Sequence, residues 1–225
     1  MITTAPDPQR VREASLEELH RLRLPLPPPD FPLVWEPGDQ LRLRPGPEIE
    51  ARAAILNVVL ARAYGLPPEL GVQWLSEARL VSRLTPPEWQ FVAESTGDQH
   101  AFARHVEALF ALSWLLGIAM DLDPLRPADA EGLSERLPDL RQGESFEAWR
   151  RRTLVALRSA SAAAQQLDLY YCLGWSLGEC ERRQLPPPVE ANVAVQRRWA
   201  LEWAVVFAGP YHGAAPGWEQ VDLST

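Results

Sequence analysis

The sequence predicts an all-α protein, an irregular multi-helix bundle with a Pro-rich N-terminal arm. Three observations predict it. From Pro47 onward apolar residues recur at helical spacing, segment after segment, punctuated by Pro at starts and Gly at stops. The chain has 225 residues, is 46% hydrophobic and carries nine Trp, enough for a substantial packed core. No Gly-rich phosphate loop and no train of alternating strands interrupts the pattern.

Residues 1–46 form the arm, and residues 47–225 a single helical domain. In the arm, "PLPPPDFP" and "EPGD" forbid long helices. A short helix is expected from Leu16 to Leu24, with Ser15 as N-cap and Glu18 as its capping-box partner. The alternation of Phe31, Leu33 and Trp35, then Leu41 and Leu43, predicts a small β-hairpin near 31–44 or two extended passes over a core.

The body begins with "PEIEARAAILNVVLARAYG", which has Pro in the first turn, early acids and Gly65 as a stop. Two short helices follow in "PPELGVQWLSEARL" and "TPPEWQFVAEST", the second capped by Thr85 with Glu88 three residues on. "DQHAFARHVEALFALSWLLGIAM" reads as one long helix, followed by a polar connection over 121–143. "ESFEAWRRRTLVAL" is helical, and Ser159 or Ser161 caps a helix running to about Arg183. "VEANVAVQRRWALEWAVVFAG" is the last long helix, stopped by Gly209-Pro210, with the tail docked extended.

Net charge is −8, which argues against a nucleic-acid or polybasic membrane-surface role. The most apolar window, 108–120, is short of the ~20 residues a membrane span needs. The N-terminus has no apolar signal region, so the expectation is a soluble, cytoplasmic protein. All 22 basic residues are Arg, so no Lys nucleophile or Schiff base is available. Cys172 and Cys180 fall on one helix about 12 Å apart, too far for a mutual disulfide. His100 and His105 stand five apart, off the spacing of helical metal ligands, and His212 lies in "GPYHGAAPG" away from other ligands. No metal and no cofactor is expected.

The most informative stretches are "EALFALSW" and "DLYYCLGW", which open on Glu107 and Asp168 and close on Trp114 and Trp175. Both faces of each helix are apolar, so both carboxylates point inward. A buried carboxylate needs a partner. Arg197, on a stripe of Ala194, Leu201, Ala204 and Ala208, is the first candidate. Arg52, Arg158 and Arg198 are the others. These residues are read first as acid–arginine pairs fixing helix register, and otherwise as a polar pocket. A general acid/base pair is the third reading, and no nucleophile or oxyanion hole in the sequence completes it.

Taken in order, "RAAILNVVLARAYGLPPEL", "LTPPEWQFV", "EALFALSWLLG", "LDLYYCLGW", "RRWALEW" and "WEQVDLST" resemble a bacterial family catalogued as domain of unknown function 4272, over roughly Leu41 to Thr225. The positions matching its motifs are Arg52, Pro86, Glu88, Gln99, Glu107, Trp114, Arg158, Asp168, Trp175, Arg198, Trp203, Trp218 and Asp222. The resemblance implies a small, mostly helical, stand-alone protein and assigns no activity. "YYCLGW" lacks the polar residue such a motif leads one to expect before its Trp, which weighs against proton transfer on that helix.

The functional expectation is therefore a binding or interaction protein with an internal Glu/Asp/Arg constellation and a protein partner. It leans away from an enzyme. The alternative is a small-molecule binder or hydrolase-like enzyme with a cleft around Glu107 and Asp168.

Overall fold

The computed structural model describes residues 2–153 and 156–223. The chain is mostly helical, with one small antiparallel sheet. It divides into two compact units that do not follow chain order. One unit comprises Met1–Arg44, Asp123–Pro127 and Arg158–Thr225; the other comprises Pro45–Leu122 and Ala128–Leu157. The N-terminal 44 residues therefore share a unit with the last helices of the chain.

In the first unit, β1 (Thr3–Thr4) precedes α1 (Pro8–Arg21). That helix starts eight residues before the expected Leu16. Asp7 is the cap, accepting from the Gln9 N–H, and Pro8 supplies the preset first turn. Ser15 is thus an interior residue, on a buried stripe with Pro8, Val11, Arg12 and Leu19. The following Pro-rich stretch carries turns and no helix or strand, and β2 (Gln40–Leu43) is the middle strand of the sheet, order β1-β2-β3. The strand expected over 41–43 forms, while Phe31–Trp35 forms no strand and bends at Val34 and Trp35. Trp35 is buried, donates its indole N–H to the Pro6 carbonyl at 2.9 Å and stacks on Phe207 at 5.0 Å.

The unit's two long helices are α9 (Ala160–Arg182), capped by the Ser159 side chain, and α10 (Ala191–Ala204). Helix α9 packs against both α1 and α10. The expected continuation of α10 to Gly209 does not occur. At the β-branched pair Val205-Val206 the chain leaves the helix and becomes β3 (Val205–Ala208), pairing with β2. Arg44 covers the helix end, its Nε donating to the Trp203 carbonyl at 2.6 Å and its guanidinium lying 4.6 Å from the Trp203 ring centroid. The tail makes a 3-10 turn over Trp218–Gln220, with Trp218 buried between Trp199 and Trp203.

In the second unit, α2 (Gly46–Ala63) is the central helix, buried along Ile49, Ala53, Ile55, Leu56, Val58 and Val59. Around it pack α3 (Pro68–Glu77), α4 (Pro86–Glu94), α5 (Gln99–Ala103) and α6 (Val106–Leu115). The Thr85–Glu88 capping box forms as expected. The single long helix expected over 98–120 is two, broken at Arg104–His105. The second stops at Gly117, where φ is +74° and the Ile118 N–H turns back to the Ser113 carbonyl at 2.8 Å. The polar connection holds a short helix α7 (Ala130–Ser134), and α8 (Phe146–Thr153) follows. Part of the helix expected over 144–157, Leu154 and Val155, lies outside the described residues.

Candidate functional site

Helix α9 carries Asp168, Tyr171 and Cys172 on its inward stripe, and Arg12 comes from the buried stripe of α1. Arg12 Nη2 lies 2.8 Å from Asp168 Oδ1, while Nε reaches Oδ1 at 3.2 Å and Oδ2 at 3.3 Å. Nη1 also donates to the Phe31 carbonyl at 3.1 Å and Nη2 to the Pro32 carbonyl at 2.9 Å. The side chains are 8% and 2% exposed, so this is a desolvated, hydrogen-bonded pair. Phe31 and Tyr171 stack at 4.6 Å beside it, and Arg198 sits 4.7 Å from the Tyr171 centroid on α10. Trp175 flanks Phe31 at 6.2 Å. Burial first, then the Asp168 charge, pushes the Cys172 thiol well above its ordinary pKa, so this cysteine is held neutral.

Arg12 was absent from the candidate arginines, though the sequence carried a signal for it. Pro8, Val11, Ser15 and Leu19 put it on one helical stripe, but that stripe is visible only once α1 is begun at Pro8. Arg197 is fully buried, as its stripe predicts. It donates to the Asp123 carbonyl and the Arg126 carbonyl, each at 2.7 Å, and to the Tyr170 hydroxyl at 2.8 Å. It ties the short Asp123–Pro127 segment to α9 and α10 within its unit. Arg198 reaches Glu202 at 3.2 Å, and Arg158 is half-buried just before α9.

The second unit holds Arg52, Glu107 and Trp114. Arg52 Nη2 meets Glu88 Oε1 at 2.5 Å, with side chains 4% and 3% exposed, while Glu88 Oε2 accepts from the Thr85 N–H at 2.9 Å. Glu107, buried on α6, accepts from the Ala128 N–H at 2.9 Å and so anchors the chain just before α7. Trp114 is buried on the same helix. The two opening acids of the echoed stretches thus belong to different units and hold different groups: Asp168 a guanidinium, Glu107 a backbone amide.

Two concavities in the first unit add chemistry. A groove of about 510 Å³ runs along α1 and α9, lined by Arg10, Val11, Ala14, Ser15, Glu18 and Gln166 among others. Gln166 Oε1 is buried there without a hydrogen-bond partner. Arg10 is exposed and makes no ion pair among the described residues. Glu18 is held below the ordinary carboxylate range by its hydrogen bond to Arg21. A smaller cleft of about 280 Å³ is lined by Glu202, His212 and Asp222. His212 is not isolated: its Nε2 lies 2.7 Å from the buried Asp39 Oδ2. Gly209 is required beside it, because a Cβ there falls 1.8 Å from Asp39 Oδ1. Burial raises the Glu202 pKa against the opposing charge of Arg198.

Among the described residues no group of three or more His, Cys, Asp or Glu has metal-binding geometry. Both cysteines are free and buried. No helix among the described residues is long and apolar enough to cross a membrane.

Fold and site together define a mostly helical protein braced by buried acid–arginine pairs. The chain belongs to the family described as Domain of unknown function (DUF4272), which it matches over residues 11–221. No curated protein and no solved structure matches it.

Proposed function

We propose that this is a binding protein. In this reading Glu107, Asp168, Arg52, Arg158, Arg197 and Arg198 form its frame, and it takes a ligand in the groove along α1 and α9. The observation that carries the reading is the groove itself. Its volume of about 510 Å³ falls within the 300–1,000 Å³ usual for organic ligands. One lining residue, Gln166, keeps its amide oxygen buried and without a partner, and such an atom costs about 1–3 kcal/mol. The Arg12–Asp168 pair supports the same reading from the other side. Four of that guanidinium's five N–H groups are held by Asp168 and the Phe31 and Pro32 carbonyls, so the pair braces α1 against α9.

The interaction reading of the arm changes accordingly. Leu19, Trp35 and Leu41 of the arm are buried, so recognition through residues 1–46 uses the outer face of α1 and not a free segment. Native mass spectrometry of the full chain tests the proposal. A small molecule should be retained at one per chain and lost in Ala14→Trp, which fills the groove from an exposed lining position. Retention unchanged by Ala14→Trp, or loss of fold-independent binding at another surface only, contradicts it.

A further inference from the structure

We propose that the exposed proline segment between α9 and α10, residues 185–188, is a docking ridge for a partner protein whose groove is walled by Trp and Tyr side chains. None of these residues lines the groove along α1 and α9, so the inference stands apart from the ligand reading. Leu-Pro-Pro-Pro occurs twice in the chain, at residues 26–29 and 185–188. Each copy follows a helix that ends the same way. Arg23 and Gln184 take the left-handed conformation, at φ +60° and +56°. The leucine after each turns its N–H back into the helix, Leu24 to the Leu19 carbonyl and Leu185 to the Cys180 carbonyl. Proline fixes its own φ and holds the residue before it extended. Leu-Pro-Pro-Pro is therefore held in polyproline II conformation, with three residues per turn.

The first copy is used inside its own unit. Leu24 and Pro27, one polyproline turn apart, are both buried. The Pro25 carbonyl accepts from the Ser176 hydroxyl at 2.8 Å, and the Pro28 carbonyl from the Phe31 N–H at 3.0 Å. The second copy is not used in this way. Leu185 is 46% exposed, whereas Leu24, at the same place after its helix, is 9% exposed. All three prolines of the second copy are exposed, and no carbonyl of residues 185–188 accepts a hydrogen bond among the described residues. These features set the partner's chemistry. Residues 186–188 have no N–H, so the segment cannot add to a sheet as a strand. It offers rigid apolar rings and unpaired carbonyl acceptors. The surface that matches is a flat apolar face with one donor at its edge, which is a Trp indole or a Tyr phenol. The ridge is ordered before it docks, so little conformational entropy is lost on binding.

The test uses the full chain with a benzoylphenylalanine photocrosslinker in place of Glu181, which is exposed on the last turn of α9. It is irradiated in extract of the source cells with either of two competitors. One is the peptide Gln-Leu-Pro-Pro-Pro-Val-Glu, and the other is the same peptide with alanine at its three prolines. The expected result is an adduct at a Trp- or Tyr-containing segment of the partner, suppressed by the proline peptide and not by the alanine peptide. Pro187→Ala should raise the chain concentration needed for half-maximal adduct about tenfold, because two ring methylenes leave the contact. Its thermal unfolding midpoint should match that of the wild type. Pro28→Ala, in the copy used internally, should leave adduct formation unchanged. An adduct insensitive to the proline peptide, an adduct with a second copy of this chain, or no adduct overturns the inference. Equal losses from Pro28→Ala and Pro187→Ala overturn it too. None of these results bears on retention of a small molecule in the groove, which Ala14→Trp tests separately.

Discussion

Arg12 reaches Asp168 across 156 residues of chain, whereas Arg52 reaches Glu88 across 36. Both pairs are desolvated, and each lies in its own unit. Asp168 is met by two guanidinium nitrogens, and the same guanidinium also gathers the carbonyls of Phe31 and Pro32. One side chain therefore fastens α1, the Pro-rich pass and α9. Glu88 divides its oxygens, one to Arg52 and one to the Thr85 N–H of its own capping box. The first pair makes long-range topology; the second anchors a helix start whose local signal already stood in the sequence. The same chemistry thus serves assembly in one unit and local precision in the other.

The largest effect that separates the two is Asp168→Asn. It leaves a buried guanidinium uncompensated and should cost about 3–5 kcal/mol of unfolding free energy, read by denaturant titration. Glu88→Gln leaves the buried Arg52 uncompensated as well but keeps the Thr85 N–H contact, so it should fall at the low end of that range, about 3 kcal/mol. An equal loss at both sites would erase the distinction drawn between them. Thr85→Ala isolates the capping share of the Glu88 site and should cost about 1 kcal/mol.

The smallest effect is a sign. Glu202 is partly buried beside Arg198, and burial holds its folded pKa above the ordinary value. A carboxyl raised in the folded state binds protons more tightly there than in the unfolded chain. Its stabilising contribution is complete below the ordinary carboxylate pKa and is lost as pH rises through the folded value. Glu202→Gln should therefore gain stability relative to wild type as pH rises from 4 to 7. A difference flat with pH would show that Arg198 fully compensates the burial.

These pairs also show where the sequence was legible. The caps at Thr85 and Ser159 and the glycine stop at Gly65 are local signals, and each reads from a few adjacent residues. The inward direction of Glu107, Asp168 and Arg197 was legible from stripe periodicity, and all three are buried. Partners were not legible, because pairing depends on which helices meet. Arg197 turns to carbonyls and a tyrosine hydroxyl, and Asp168 takes an arginine from the part of α1 that precedes the expected helix start at Leu16. The break at Arg104–His105 and the passage of α10 into β3 were hidden for a related reason. Apolar runs such as "ALEWAVVFA" satisfy helix and buried strand alike, and the pairing with Gln40–Leu43 decides. The groove was invisible for the same cause, since it needs α1 in place from Pro8.

The most direct test of the frame is a double-mutant cycle at its longest-range member, with Arg12→Met and Asp168→Leu made singly and together. If the pair is architecture, each single variant loses about 3–5 kcal/mol and the double variant returns to within about 1 kcal/mol of wild type, because two apolar side chains replace two matched charges. If instead the losses simply add, the two groups are not partners in stability. A gain from Asp168→Leu alone would mean that the carboxylate is held against stability, as groups kept for a ligand are.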